Sequence, residues 1–234
     1  MTGRSHPLSR VPGLLPLAEQ QLGLVSRDQL RALGVTRHHV RRQLEAQRWQ
    51  AVGGRVLAVM TGAITEDQMR WAAVLHCGES ALLHGVSSLQ ASGLDGWGGE
   101  GAHVLAPLGV RVPPLDGVVV HRARDFARLR VCTRDGLPCT SVERALIDGA
   151  SIQDSSRSAA GLVLAAIRQR LTTPDRLLDE LEQVSRRRNM AALRTAALDA
   201  RQGADAVSEV DTGRLLIRAG LTSFRRQAII STSE

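Results

Sequence analysis

Apolar positions recur at helical spacing through much of the chain, broken by short runs with strand character. Leu14, Leu15, Leu17, Ala18 and Leu22 share one stripe, predicting a first helix that ends near Gly23. Ser26 with Gln29 has the spacing of a capping box, so a second helix is expected from Arg27 to Gly34. Thr36 is the expected cap of a third, which runs to about Gln47 and turns Val40 and Leu44 inward one turn apart. Two strand-like runs follow, Arg48–Val52 and Arg55–Val59, around Gly53-Gly54, a pair able to take the positive φ values of a type I′ hairpin.

Beyond this segment the pattern stays mixed. Thr65 and Gln68 open a helix to about Cys77, and the run from Ser80 to Ala91 reads as the next helix. The glycine-rich stretch 93–101 reads as a loop, and the runs 102–107 and 117–123 read as strands around a proline-rich turn, Arg111–Asp116. Thr140 and Glu143 suggest another capping box, and residues 156–170 form a helix rich in Ala and Leu. Thr173-Pro174 starts the next helix, since proline at the first helical position gives up no needed hydrogen bond. Arg186, Arg187 and Arg188 separate it from a helix at Met190–Arg201, and a last helix is expected over Ala206–Ala219. Residues 1 to about 11 are expected to be a mobile arm. The fold class is therefore α+β, mainly helical. Three domains are expected: a winged helix-turn-helix over 12–62, a mixed α/β body over 63–202, and an incomplete helix–strand segment over 203–234.

Two short helices followed by a tight basic hairpin is the order of a winged helix-turn-helix, which delivers one helix and a wing to a DNA duplex. Projection at 100° per residue turns His38 and Arg42 away from Val40 and Leu44, with Arg41 on the flank. Arg37 starts near the core side, yet its length lets the head reach outward. The candidate readers are thus Arg37, His38, Arg41 and Arg42, with Arg48 and Arg55 bracketing the wing as phosphate contacts. Trp49 is expected to pin the wing to the helices. The same basic face also suits a solvated surface or a protein–protein module, because fold does not fix function.

Composition sharpens the choice of partner. The net charge is +7, and all 30 basic side chains are Arg, whose planar fork suits phosphate oxygens and guanine edges. An Ala-rich chain without Lys or Tyr also fits a GC-rich coding sequence. Aromatic residues make up 2% of the chain, too few for the stacking platforms of single-strand readers. The cysteines Cys77, Cys132 and Cys139 form no CxxC, which favours buried free thiols in a reducing cytoplasm. No apolar run is long enough for a signal peptide core or a membrane span, so a cytoplasmic location without membrane partners is expected.

The segment LVSRDQLRALGVTRHHVRRQLEAQRWQAVGGRVLAVMTG, together with ALLHGVSSLQASGL and GLPCTSVERALIDGA, resembles the actinobacterial AbiEi-like antitoxin family. That resemblance implies a transcriptional regulator with an N-terminal winged helix, of the kind associated with type IV toxin–antitoxin systems, which represses its own promoter. It also implies a nucleotidyltransferase-like toxin as partner where one exists. Near the C-terminus, Ser208-Glu209, Leu215-Leu216, Gly220-Leu221 and Gln227 resemble the opening of a Vsr-like endonuclease domain. The metal-binding Asp and later Glu-x-Asp of that family do not appear before Glu234. Phosphodiester cleavage needs several carboxylates converging on a metal ion. Glu209, with Asp205 and Asp211 in the same short stretch, does not supply them, so the segment reads as a truncated remnant without nuclease activity.

The remaining constellations are weak. His76, Cys77 and His84 lie close in sequence but lack HxxxH or a second cysteine pair, so neither a metal nor another cofactor is expected. His84-Gly85-Val86-Ser87-Ser88 lacks the GxSxG elbow, and Gly96-Trp97-Gly98-Gly99 lacks the ending of a phosphate loop. Arg186–Arg188 fits either a second nucleic-acid contact or a solvated turn. The expected function is a DNA-binding regulator rather than an enzyme. A DNA-directed endonuclease and an antitoxin acting through protein contact are the alternatives.

Overall fold

The computed structural model describes residues 11–98, 101–124, 126, 129–185, 187–203 and 214–220. The fold is α+β, as the hydrophobic pattern predicts, with its strands in two sheets among the described residues. Two compact units emerge: the residues up to Ser87 with those from Gly98 to Thr140, and Ser88–Trp97 with those from Ser141 onward.

The first unit begins with α1 (Leu14–Gln20), β1 (Leu24–Ser26), α2 (Arg27–Ala32), α3 (Arg37–Glu45), β2 (Gln50–Ala51) and β3 (Val56–Ala58). Strand β3 is central, with β1 and β2 antiparallel on either side of it. Leu24 and Val25 of β1 are fully buried, as are Val56, Leu57 and Ala58 of β3, so neither strand alternates and neither has a period-2 signature. Leu14, Ala18, Val25, Leu30, Val40, Trp49 and Leu57 form one core, with Leu44 packed against its edge. Both caps fall where the sequence puts them. Ser26 and Gln29 make the reciprocal box, and the Thr36 hydroxyl accepts from His39 N at 3.2 Å.

Helix α4 (Glu66–Cys77) carries the expected Thr65–Gln68 box and leads into the second sheet. That sheet has the order β6-β5-β4-β8-β7, built from β4 (Leu82–Leu83), β5 (Ala102–Pro107), β6 (Val118–Ala123), β7 (Val131–Arg134) and β8 (Leu137–Thr140). The helix expected over Ser80–Ala91 is shortened to α5 (Gly85–Ala91). Leu82 and Leu83 pair instead with Leu105 and Val104 of β5, a long-range partnership that local periodicity does not reveal. Strands β5 and β6 run parallel, so the proline-rich segment between them crosses back along the sheet and does not close a hairpin. The return is tight at Gly101, where φ is +76° and a Cβ would stand 2.6 Å from the Gly117 carbonyl oxygen. The β7–β8 hairpin turns at Asp135-Gly136, whose φ values of 47° and 84° suit a type I′ turn.

The second unit contains α6 (Val142–Ser151), α7 (Ser156–Arg168), α8 (Pro174–Gln183) and α9 (Met190–Arg201). The cap of α6 is Ser141, one residue later than expected, because Thr140 is the last residue of β8. Glu143 is therefore not part of a capping box. Its buried carboxylate accepts from Thr172 Oγ1 at 2.7 Å and pairs with Arg176 at 2.8 Å. Leu162, Val163, Leu177, Leu193, Ala196 and Ala197 are among its fully buried apolar residues. Ser208, Glu209, Leu221 and Gln227, and with them most of the endonuclease-like resemblance, lie outside the described residues, as do the arm at 1–10 and Arg186.

Candidate nucleic-acid interface

Helix α3 is seated by Val40, 5% exposed, and by Leu44 at the margin of the core. This seat fixes which way the helix faces. Arg37, His38, Arg41 and Arg42 are all exposed, and the 3.6-residue repeat turns His38 and Arg42 away from the core. Arg41 is not an isolated cation: its Nε donates to Glu45 Oε1 at 2.7 Å, with both side chains mainly in solvent. On the opposite flank, Gln43 Nε2 lies 3.3 Å from His39 Nε2, and the His39 ring is 5.9 Å from that of Trp49. Trp49 is 5% exposed and belongs to the core, the anchoring place expected for it.

The hairpin after α3 differs from the sequence-based expectation. Neither Gly53 nor Gly54 takes a left-handed φ, so a type I′ turn is not formed. Strands β2 and β3 are separated by the four residues Val52–Arg55, in a wider loop. That loop is tied down: Arg27 Nε donates to the Gly54 carbonyl at 2.9 Å, and Arg27 N donates to the Arg55 carbonyl at 2.9 Å. Gly53 approaches Leu115 so closely that a Cβ would fall 2.7 Å from its Cδ1. Arg48 is exposed at the base of the hairpin. Arg55 is exposed as well, but its two terminal nitrogens reach the carbonyls of His76 and Arg111 at 3.4 Å each. The candidate readers Arg37, His38, Arg41 and Arg42 are brought together on one helix, whereas Arg55 is drawn toward the loop between β5 and β6.

His76 is 1% exposed, and its Nε2 lies 3.0 Å from the Pro113 carbonyl, an acceptor that requires this nitrogen to donate. Among the described residues no group of three His, Cys, Asp or Glu is arranged to hold a metal ion. The sequence pattern gave no hint of a histidine set that the second sheet assembles, with His103 Nδ1 2.9 Å from His121 Nε2 and the His84 ring 4.7 Å from that of His121. Only the pairing of β4, β5 and β6 makes these neighbours. In the second unit Arg187 pairs with Asp148 at 3.2 Å and Arg188 donates to the Asp154 carbonyl at 2.6 Å, so both have structural partners.

Burial pushes the Cys77 thiol up from 9.0 to about 11, outweighing the opposing fields of Arg122 and Arg55. A folded-state value above the unfolded one stabilises the fold below pH 9, and this contribution is lost as pH rises toward 11. Two pH units correspond to about 3 kcal/mol. Urea unfolding of wild type is therefore expected to lose about 2 kcal/mol more stability between pH 8.5 and 11 than Cys77→Ala does, since the folded thiol is only half ionised at pH 11. Equal losses in the two proteins would contradict this.

No family model matches the chain, and no curated protein does. Its α+β fold does have a counterpart among solved structures. The chain is similar to the RV2827C protein from Mycobacterium tuberculosis, whose crystal structure superposes with a TM-score of 0.50 over 92% of this chain and 81% of that one. The two share 17% identity, so the likeness is one of fold. Among the described residues no helix is long and apolar enough to cross a membrane.

Proposed function

We propose that this protein is a transcriptional regulator that binds double-stranded DNA in the cytoplasm, with residues 12–62 serving as a winged helix-turn-helix. One observation carries the reading. A nine-residue helix, seated by Val40 and Leu44, exposes Arg37, His38, Arg41 and Arg42, beside a three-stranded sheet of order β1-β3-β2. A helix of this kind presents its first turns to base edges in the major groove, while flanking cations meet phosphates. The tethers on Arg55 favour α3 and Arg48 as the main contacts, with the loop 52–55 in a supporting place.

Three guanidinium groups free to meet phosphates, those of Arg37, Arg42 and Arg48, give an expected slope of about −3 for log K against log salt on a duplex. Arg42→Ala is expected to weaken binding by about 1–3 kcal/mol if it reads a base, or to reduce the slope by about 1 if it meets a phosphate. Fluorescence anisotropy of a labelled duplex across a salt series measures both. A flat salt series overturns the reading.

The resemblance to AbiEi-like proteins extends the proposal to an autorepressing antitoxin with a nucleotidyltransferase-like toxin as partner. Co-purification with the product of an adjacent nucleotidyltransferase gene tests that extension separately.

A further inference from the structure

We infer that Glu45 is a specificity-determining residue that positions Arg41 to read guanine, an inference that rests on the DNA-binding reading above. Counting 100° per residue from Val40, Glu45 projects at roughly 140°, between Arg41 at about 100° and Arg42 at about 200°. The only acidic residue of α3 therefore stands within the face offered to the duplex. On charge alone it is out of place there, since a carboxylate facing phosphates weakens binding.

Helix stability does not account for it. Glu45 is the last residue of α3, where the helix dipole disfavours an anion, and Arg37 occupies the first position, where it disfavours a cation. The Arg41–Glu45 pair also runs in the less favourable order, with the cation N-terminal to the anion. At 77% and 58% side-chain exposure, such a pair adds little to folding.

Its geometry suits recognition instead. Arg41 donates through Nε to Glu45 Oε1 at 2.7 Å. The donation occupies the inner edge of the guanidinium and leaves the two terminal NH2 groups as a fork. Bidentate donation from that fork to O6 and N7 is the commonest way a protein reads guanine. The carboxylate at the same time offsets the attraction that would draw a free Arg41 to the nearest phosphate. Glu45 exchanges general affinity for discrimination.

The test uses the full chain, a duplex selected by the wild-type protein from a random library, and a scrambled duplex of equal length. With Glu45→Gln, binding to the scrambled duplex is expected to tighten several-fold, and preference for the selected duplex to fall about 5–150-fold, the worth of one bidentate base contact. The salt slope is expected to steepen by about one as Arg41 moves to a phosphate. In an Arg41→Ala background the same Glu45→Gln change is expected to leave the preference unaltered, because Glu45 acts through Arg41. Preference and slope unchanged in Glu45→Gln overturn the inference, as does a wild type that binds all duplexes equally. Both results leave the DNA-binding reading intact, which fails if wild type binds neither duplex or binds both without salt dependence.

Discussion

Trp49→Ala is expected to lower the stability of the first unit by about 3–5 kcal/mol, the range for deleting a buried aromatic side chain. The indole is 5% exposed and lies in the core that joins α1, β1, α2, α3 and β3. Alanine there opens a cavity that Leu30, Val40 and Leu57 cannot all close without shifting the two helices and the strand they sit on. With a urea dependence of about 2 kcal/mol per M, the unfolding midpoint is expected to drop by about 1.5–2.5 M. Trp49→Phe, which retains a ring, is expected to lose less than half as much. Because Val40 seats α3 in that same core, the proposed duplex binding is expected to weaken in Trp49→Ala, though no side chain on the exposed face of α3 has changed. A midpoint within 0.3 M of wild type, by this arithmetic under about 1 kcal/mol, would show that the ring is not part of the support.

The elements recovered well from sequence are those whose stabilisation is local. Ser26 with Gln29 and Thr65 with Gln68 bond within three residues of each other, and both helices start where these pairs say. The exposed face of α3 was legible for the same reason, since the 3.6-residue repeat and two apolar anchors define it. Long-range pairing accounts for most of the differences. Leu82 and Leu83 sit in an apolar run that suits a helix equally well, and only β5 and β8 draw them into a sheet. The tether on Arg55 involves Arg111, 56 positions away, which no local pattern connects to it. The turn Asp135-Gly136 did carry a hairpin signal, yet its flanks, Val131–Arg134 and Leu137–Thr140, include Pro138 and lack clean alternation.

The second unit depends on a buried carboxylate in a comparable way, and Asp148→Ala is expected to cost it about 3 kcal/mol. Asp148 lies on α6 with its side chain 1% exposed, between Arg144 at 2.7 Å and Arg187 at 3.2 Å. Removing one member of a buried charge set costs about 3–5 kcal/mol, because the opposite charges remain desolvated without compensation. The lower end applies here, since Arg187 is 37% exposed and water can solvate it, whereas Arg144 at 19% is more enclosed. The two arginines are accordingly unequal: Arg187→Ala is expected to cost under about 1 kcal/mol, as half-exposed pairs do. Asp148→Asn keeps the volume and an accepting oxygen, so it is expected to fall between Asp148→Ala and wild type. Urea unfolding followed by helical circular dichroism ranks the three variants. Equal losses in Arg187→Ala and Asp148→Ala would mean that the outer pair, rather than the enclosed one with Arg144, holds the carboxylate.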